Sequence, residues 1–339
     1  MGVGMEYRNL GRSGVKVSVL CLGAMMFGGR TNETDSKEII ARAREQGVNF
    51  LDTADAYNKG ESERVVGRAL RVERNRWVLA TKAYNPMGDG PNERGLSRKW
   101  LTQACEASLQ RLGSDYIDVY YLHKEDLDTS LEETVAAVGD LMRQGKILYF
   151  GVSNFRAWRI AEVCRICDAL ATPRPVVSQP VYNALNRMPE VEHLPACAHY
   201  GLGVYPYSPL ARGILTGKYA PDAEAPSDTR AGVKDKRMME TEWRRESLVL
   251  AQKIKAYAES RGTTAAYFAL AWVLHNRLIT GVVAGPRTLE QWQGYVDGLA
   301  YPFTAEDEAF VDSLVPPGHP STPGYTDPAY PIEGRVVRN

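Results

Sequence analysis

The chain has 339 residues, 44% hydrophobic and 24% charged, enough apolar material for a sizeable core and in the range of one (β/α)8 barrel with insertions. Lys plus Arg and Asp plus Glu each number 41, so the formal net charge is zero, which speaks against nucleic-acid or membrane-surface binding. Five scattered cysteines, the lack of a basic-then-apolar leader pattern, and a longest apolar run (265–274) of about half a membrane span together predict a cytoplasmic protein.

In chain order, residues 5–17 read as a hairpin with Gly11 to Gly14 at its turn. Short β-rich runs follow at Val17–Leu22, Val48–Leu51, Trp77–Thr81, Ile117–Leu122, Ile147–Val152, Val176–Ser178, Gly203–Pro206 and Leu278–Ala284. Near-continuous apolar runs suit a parallel sheet buried on both faces. The stretches between them carry helix signals. Asp35 with Glu38 and Ser130 with Glu133 have capping-box spacing, and Ser97 precedes a stripe of Leu101, Cys105, Leu109 and Leu112 at helical period. Gly47 and Gly145 stand where helices must end. Cys164 and Cys167 form a C-x-x-C, but inside a helical stretch and without a zinc pattern, so they read as packing residues and no metal is expected. A long insertion, about Ser208 to Thr241, follows the seventh strand, and a proline- and glycine-rich tail, Pro316 to Pro331, follows a C-terminal helix. Eight β/α alternations imply a closed TIM barrel with an N-terminal β-hairpin. The whole chain, 1–339, reads as one domain, with the barrel at about 17–300 and a C-terminal extension at about 301–339.

Active sites of this architecture lie at the C-terminal strand ends. Those ends here present Asp52, Lys82, His123, Ser153, Asn154, Gln179, Tyr207, Ser208, Gly285 and Arg287, and Tyr57 follows Asp52 in the next loop. Taken singly each has an ordinary explanation: Asp52 as a helix cap, Lys82 as a solvated loop residue, His123 as a capping histidine. Together they form a chemically coherent set. A phenol with an ordinary pKa near 10 donates protons poorly at neutral pH, and a neighbouring ammonium held by a carboxylate corrects that.

Asp52 and Tyr57 in FLDTADAY (50–57), Lys82 and His123, in this order on successive strands, resemble the catalytic tetrad of the aldo-keto reductase superfamily. The segments GVSNF (151–155) and GILTGKY (213–219) are similar to that family's as well, and the likeness spans about residues 5–315. Within the superfamily the sequence most resembles the branch that includes potassium-channel β subunits and bacterial relatives. The resemblance implies reversible hydride transfer between NADPH and a carbonyl or alcohol. Tyr57 would be the general acid/base, Lys82 would tune it, Asp52 would anchor Lys82, and His123 would orient the carbonyl oxygen.

No G-x-G-x-x-G follows a strand and no Walker A sequence is present, so neither a Rossmann site nor a P-loop is expected. The resemblance assigns the carboxamide to Ser153, Asn154 and Gln179, ring stacking to Tyr207, and the pyrophosphate to Ser208, Pro209, Leu210, Gly213 and Lys218, with Arg230 assisting. In GPRTLEQ (285–291) it implies that Gly285, Arg287, Thr288 and Gln291 form the adenosine site, Arg287 pairing with a 2′-phosphate, which favours NADPH over NADH. Relatives commonly carry an acidic residue and Asn where this chain has Gly294 and Tyr295, so the adenine contacts depart from the usual pattern.

Met25, Met26, Phe27 and Tyr84 follow strands one and three as candidate walls of a pocket for a small carbonyl substrate, and Trp243 is a further candidate. A homo-oligomer is compatible with this branch. The alternative to a working reductase is an NADPH-binding accessory or redox-sensing subunit resembling a potassium-channel β subunit.

Overall fold

Tyr7–Asn9 (β1) and Lys16–Ser18 (β2) pair as an antiparallel hairpin. Gly11 sits at its turn with φ +58°, a conformation that favours glycine. A Cβ there would lie 2.3 Å from the Val176 carbonyl oxygen, so the turn also demands the smallest residue. The hairpin's Leu10 and Val17 are fully buried in one cluster with Cys21, Phe50, Ala80, Val119, Tyr121, Val177, Tyr205 and Val283. Those eight residues come from the barrel strands or the residue just beyond one of them, so the hairpin plugs the N-terminal mouth of the barrel.

The computed structural model describes residues 4–332. The chain divides into two units, the first formed by Met1–Val181, Glu192–Tyr207 and Leu274–Asp297. It holds eight parallel strands: Leu20–Gly23 (β3), Phe50–Asp52 (β4), Val78–Ala83 (β5), Ile117–Leu122 (β6), Ile147–Ser153 (β7), Val177–Gln179 (β8), Gly203–Val204 (β9) and Val282–Ala284 (β10). Neighbours pair in chain order and β10 pairs with β3. Backbone bonds from Thr280 N to Val204 O (2.9 Å) and from Val283 N to Pro206 O (3.0 Å) bind the last seam. The fold is a (β/α)8 barrel. Its helices include Glu33–Glu45 (α1), Glu61–Leu70 (α2), Arg98–Leu112 (α3), Leu131–Arg143 (α4), Ala157–Ala169 (α5) and His193–Tyr200 (α6).

The second unit, Tyr182–Val191, Ser208–Val273 and Gly298–Asn339, contains Lys236–Thr241 (α7), Arg245–Ser260 (α8), most of Ala265–His275 (α9) and Ala305–Leu314 (α11), while Leu289–Gly298 (α10) belongs almost entirely to the first. Tyr257 stacks on Phe310 at 3.8 Å and meets Phe268 edge-on at 5.6 Å, joining α8, α9 and α11. Buried Arg187 donates to Glu190 (2.9 Å), Asp312 (2.6 Å) and the Val315 carbonyl (2.8 Å). The tail is irregular, as its composition dictates, and is fastened by Arg237 to Asp327 (2.6 Å) and by Arg244 over the Tyr325 ring (3.8 Å).

Several expectations are revised. The run Val17–Leu22 is two strands, since Val17 and Ser18 belong to the hairpin and the barrel strand starts at Leu20. The cap of α1 is Asn32, whose side chain accepts from Asp35 N (2.9 Å); Asp35 is instead one turn inside the helix. Ser130 does cap α4, but its box is incomplete because Glu133 accepts from Arg98 N (2.9 Å). Leu278–Ala284 shortens to Val282–Ala284, and the insertion from Ser208 ends in a helix, α7. Ser97 caps α3, and Gly47 and Gly145 end α1 and α4 with positive φ. All five cysteines are free and buried, Cys164 and Cys167 on α5. No described helix is long and apolar enough to cross a membrane.

Candidate active site

Strand alternation builds the site. Successive side chains point to opposite faces, so residues two apart share the barrel interior. Phe50 lies below Asp52, Ala80 below Lys82, Tyr121 below His123, Gly151 below Ser153, Val177 below Gln179 and Tyr205 below Tyr207. The lower member of most of these pairs belongs to the apolar cluster, and the upper member is polar. Gly151 pairs with Tyr121 across β6 and β7, and a Cβ there would lie 2.7 Å from the Tyr121 ring. That ring therefore lies across the barrel, with the Lys82 ammonium 5.8 Å from its centroid.

Lys82 is fully buried and its ammonium forms an ion pair with Asp52, which is 2% exposed. The same ammonium donates to the Thr53 carbonyl (2.8 Å) and to the Tyr57 hydroxyl (3.3 Å). Burial by itself would pull the Lys82 pKa down, but Asp52 and Tyr57 outweigh it and hold the value above that of an ordinary lysine. Gln179 donates to the second Asp52 oxygen (3.0 Å), which fixes the carboxylate from the other side.

Tyr57 is half-buried and opens a tight turn in which Asn58 and Lys59 have left-handed φ of 49° and 55°. Asn58 holds that turn by donating to the carbonyls of Met25 (3.1 Å) and Phe27 (2.8 Å). His123 stands edge-on to Tyr57, ring centroids 5.9 Å apart. Burial, with the Lys82 charge second, keeps the imidazole pKa well below its ordinary value, so His123 is neutral near pH 7. The four residues expected to act together are brought to one barrel rim by β4 and the loop after it, by β5, and by the residue that follows β6.

Ser153, Asn154, Gln179 and Tyr207 are joined on the same rim. Ser153 donates to the Gln179 carbonyl (2.8 Å). Asn154, at φ +57°, donates to the His123 carbonyl (3.0 Å) and to Ser153 Oγ (3.0 Å), and accepts from the Tyr207 hydroxyl (2.9 Å). After β10, Arg287 N donates to Gln291 Oε1 (2.8 Å), and Thr288 caps the following helix by accepting from Gln291 N (3.2 Å). Thr31 Oγ1 donates to the Arg287 carbonyl (2.9 Å), which ties that turn to the loop after β3.

Within the second unit, Ala211, Arg212 and Gly213 are consecutive residues at φ +46°, +53° and +99°. Ala211 N and Gly213 N donate within the turn, to the Ser208 (2.9 Å) and Leu210 (2.8 Å) carbonyls. A Cβ on Gly213 would lie 3.5 Å from Lys218 Nζ, so an ammonium stands over the turn. Arg230 is engaged by Asp235 (3.0 Å). Among the proposed pocket walls, Met25, Met26 and Tyr84 are half-buried, whereas Phe27 is fully buried and belongs to the packing of its own turn. Trp243 packs edge-on against Tyr219 at 5.2 Å.

Residues 19–316 match the family described as Aldo/keto reductase family. The chain belongs to the aldo/keto reductase family. Curated relatives include two proteins named probable voltage-gated potassium channel subunit beta. The one from Arabidopsis thaliana is 38% identical over 295 residues, covering 85% of this chain and 89% of that protein. The one from Oryza sativa subsp. japonica is 38% identical over 287 residues, covering 83% and 87%. A protein of Bacillus subtilis (strain 168) named uncharacterized oxidoreductase YrpG is 35% identical over 331 residues, covering 94% and 98%. The family and the bacterial relative support an oxidoreductase.

Two features of this aldo/keto reductase site had no signal in the sequence. Asn85 lies 3.1 Å from the His123 ring, and Asp55 is a fully buried carboxyl beside Lys82 and Glu63. Asn85 sits past a strand end in a polar loop, and Asp55 repeats the residue type of Asp52 within the same short motif. Neither position breaks a pattern that would have singled it out.

Proposed function

We propose that this protein is an NADPH-dependent reductase that converts an aldehyde or ketone to an alcohol, reversibly. The observation that carries the reading is the buried Lys82 ammonium held between the Asp52 carboxylate and the Tyr57 hydroxyl. A bound nicotinamide would supply the hydride. Tyr57 donates its hydroxyl proton to the carbonyl oxygen, and the adjacent ammonium stabilises the phenolate left behind. Asp52 keeps Lys82 charged and in place. Neutral His123 donates a hydrogen bond to the same oxygen as negative charge builds on it. In the reverse direction the Tyr57 phenolate takes the proton of the alcohol.

The residues present suit a dinucleotide. On the barrel rim Ser153, Asn154 and Gln179 would hold the carboxamide, Asn154 through the second lone pair of an oxygen already bonded to Tyr207. Tyr207 offers a ring for stacking. The turn of Ser208, Pro209, Leu210 and Gly213 would receive a pyrophosphate, with Lys218, and Arg230 beyond it, bringing positive charge. Gly285, Arg287, Thr288 and Gln291 would take the adenosine and its 2′-phosphate, so NADPH is favoured over NADH. Half-buried Met25, Met26 and Tyr84 suit a bulky or aromatic carbonyl compound. The free cysteines fit a cytoplasmic enzyme, and a homo-oligomer is compatible with the reading.

NADPH consumption against a panel of aldehydes and ketones, measured for wild type and Tyr57→Phe, tests the assignment. The variant is expected to lose about 10²–10⁴-fold in turnover while still quenching on NADPH binding. The names of the plant relatives favour a second reading, an NADPH-binding accessory subunit. Tight NADPH binding without turnover of any carbonyl by wild type would support that reading instead, and failure to bind NADPH would remove the cofactor assignment.

A further inference from the structure

Asn85 lies just beyond β5, three positions after Lys82, and its side-chain nitrogen is 3.1 Å from His123 Nδ1. The backbone fixes the two residues relative to each other. Ala83 pairs with Leu122 across β5 and β6, and His123 N donates to the Ala83 carbonyl (3.0 Å). Asn154 Nδ2 holds the His123 carbonyl (3.0 Å), so both ends of the His123 peptide frame are tied. The ring has little freedom to trade partners, with Tyr57 edge-on against it.

A carboxamide nitrogen carries two hydrogens and no acceptor lone pair, so the ring nitrogen facing it has to be the acceptor. We propose that Asn85 fixes the tautomer of His123: its amide N–H donates to Nδ1, which leaves the single ring proton on Nε2. Only that tautomer supplies a donor at Nε2, the nitrogen remote from Asn85, to a substrate oxygen. With the proton on Nδ1 instead, Nε2 would be an acceptor and would repel a developing oxyanion. Burial and the Lys82 charge oppose protonation of the ring, so the imidazole holds one proton and its location matters. Asn85 is a positioning residue, because it acts on the substrate through His123. A carboxylate at the same position would do the opposite: it would accept from Nδ1–H and stabilise the doubly protonated ring.

The role in turnover rests on the reductase reading, but the tautomer itself is measured on the protein without cofactor or substrate. The test is ¹⁵N NMR of histidine-labelled protein, with the His123 signals assigned by their loss in His123→Gln. Wild type is expected to show a protonated Nε2 and an unprotonated Nδ1 for His123 across neutral pH. A protonated Nδ1 in wild type would overturn the proposal even if the protein is an active reductase. Asn85→Asp, nearly isosteric, is expected to move the single proton to Nδ1 and raise the apparent pKa of His123; at a pH where the ring still holds one proton, kcat should fall by about 10²-fold, as for loss of one oxyanion donor. NADPH affinity should stay within about twofold, since Asn85 is not among the residues proposed to hold cofactor. An Asn85→Asp protein with unchanged His123 signals would also overturn the proposal. The expected shift in an Asn85→Asp protein that binds NADPH, with no turnover in wild type, would leave the tautomer assignment standing and remove the reductase reading.

Discussion

Asp55 shows how one side chain can set a pH dependence. It is fully buried, one oxygen accepts from Ala56 N (2.6 Å), and the other has no hydrogen-bond partner among the described residues. Burial first, and then the charge of Glu63, push its pKa from the ordinary 3.8 up to about 8. Below the lower value both folded and unfolded chains carry the proton. Between the two values only the folded chain does, so rising pH favours unfolding, and above the upper value the full penalty remains. Stability should therefore fall with pH across this window, by at most about 1.4 kcal/mol per unit from this group. Asp55→Asn should flatten that slope relative to wild type, measured as urea unfolding free energies from about pH 5 to about pH 8. Equal slopes in both proteins would show that Asp55 does not hold a proton there. Neighbouring Glu63 accepts from Thr81 (2.6 Å) and Arg111 (2.6 Å).

Helix ends and helix contacts carry their own predictions. Ser97 accepts from Trp100 N (3.2 Å) and opens α3, so Ser97→Ala should cost about 1 kcal/mol, whereas Ser97→Asp should stay near wild type in denaturant midpoint. Gly67 marks where α2 approaches the end of α3. A Cβ there would lie 2.3 Å from the Leu112 carbonyl oxygen, which is backbone and cannot rotate away. Gly67→Ala should destabilise by about 1–3 kcal/mol through overpacking, the reverse of the helix-propensity gain that the same change gives at an exposed site. A midpoint raised by Gly67→Ala would mean that α2 and α3 stand far enough apart for a Cβ to clear the Leu112 carbonyl.

At the scale of the whole molecule, the barrel should be the last part to open. Strands β5, β6 and β7 pair with a neighbour on each side and their central residues are buried, so their amides should exchange slowest. Residues 221–228, mostly exposed and irregular, should exchange fastest. Hydrogen exchange read by mass spectrometry checks this order, and early exchange of β6 would contradict it. Much of this architecture was legible in the sequence. The eight alternating runs, the capping role of Ser97, the glycines that end α1 and α4, and the polar residues at the strand ends are all local signals. They follow from side-chain periodicity and turn chemistry within a few residues. Asp52, Lys82 and His123 could be singled out because strand period and strand end together place them on one rim. What the tertiary structure alone decided involves partners far apart in the chain. Glu63 meets Arg111, 48 residues on; Tyr205 donates to the Ser18 carbonyl (2.8 Å), 187 residues back; and Asn85 meets His123. A single sequence encodes which face a side chain takes but not which remote side chain it will face. Closing the sheet into a barrel makes that choice, by bringing distant strand ends within hydrogen-bonding distance.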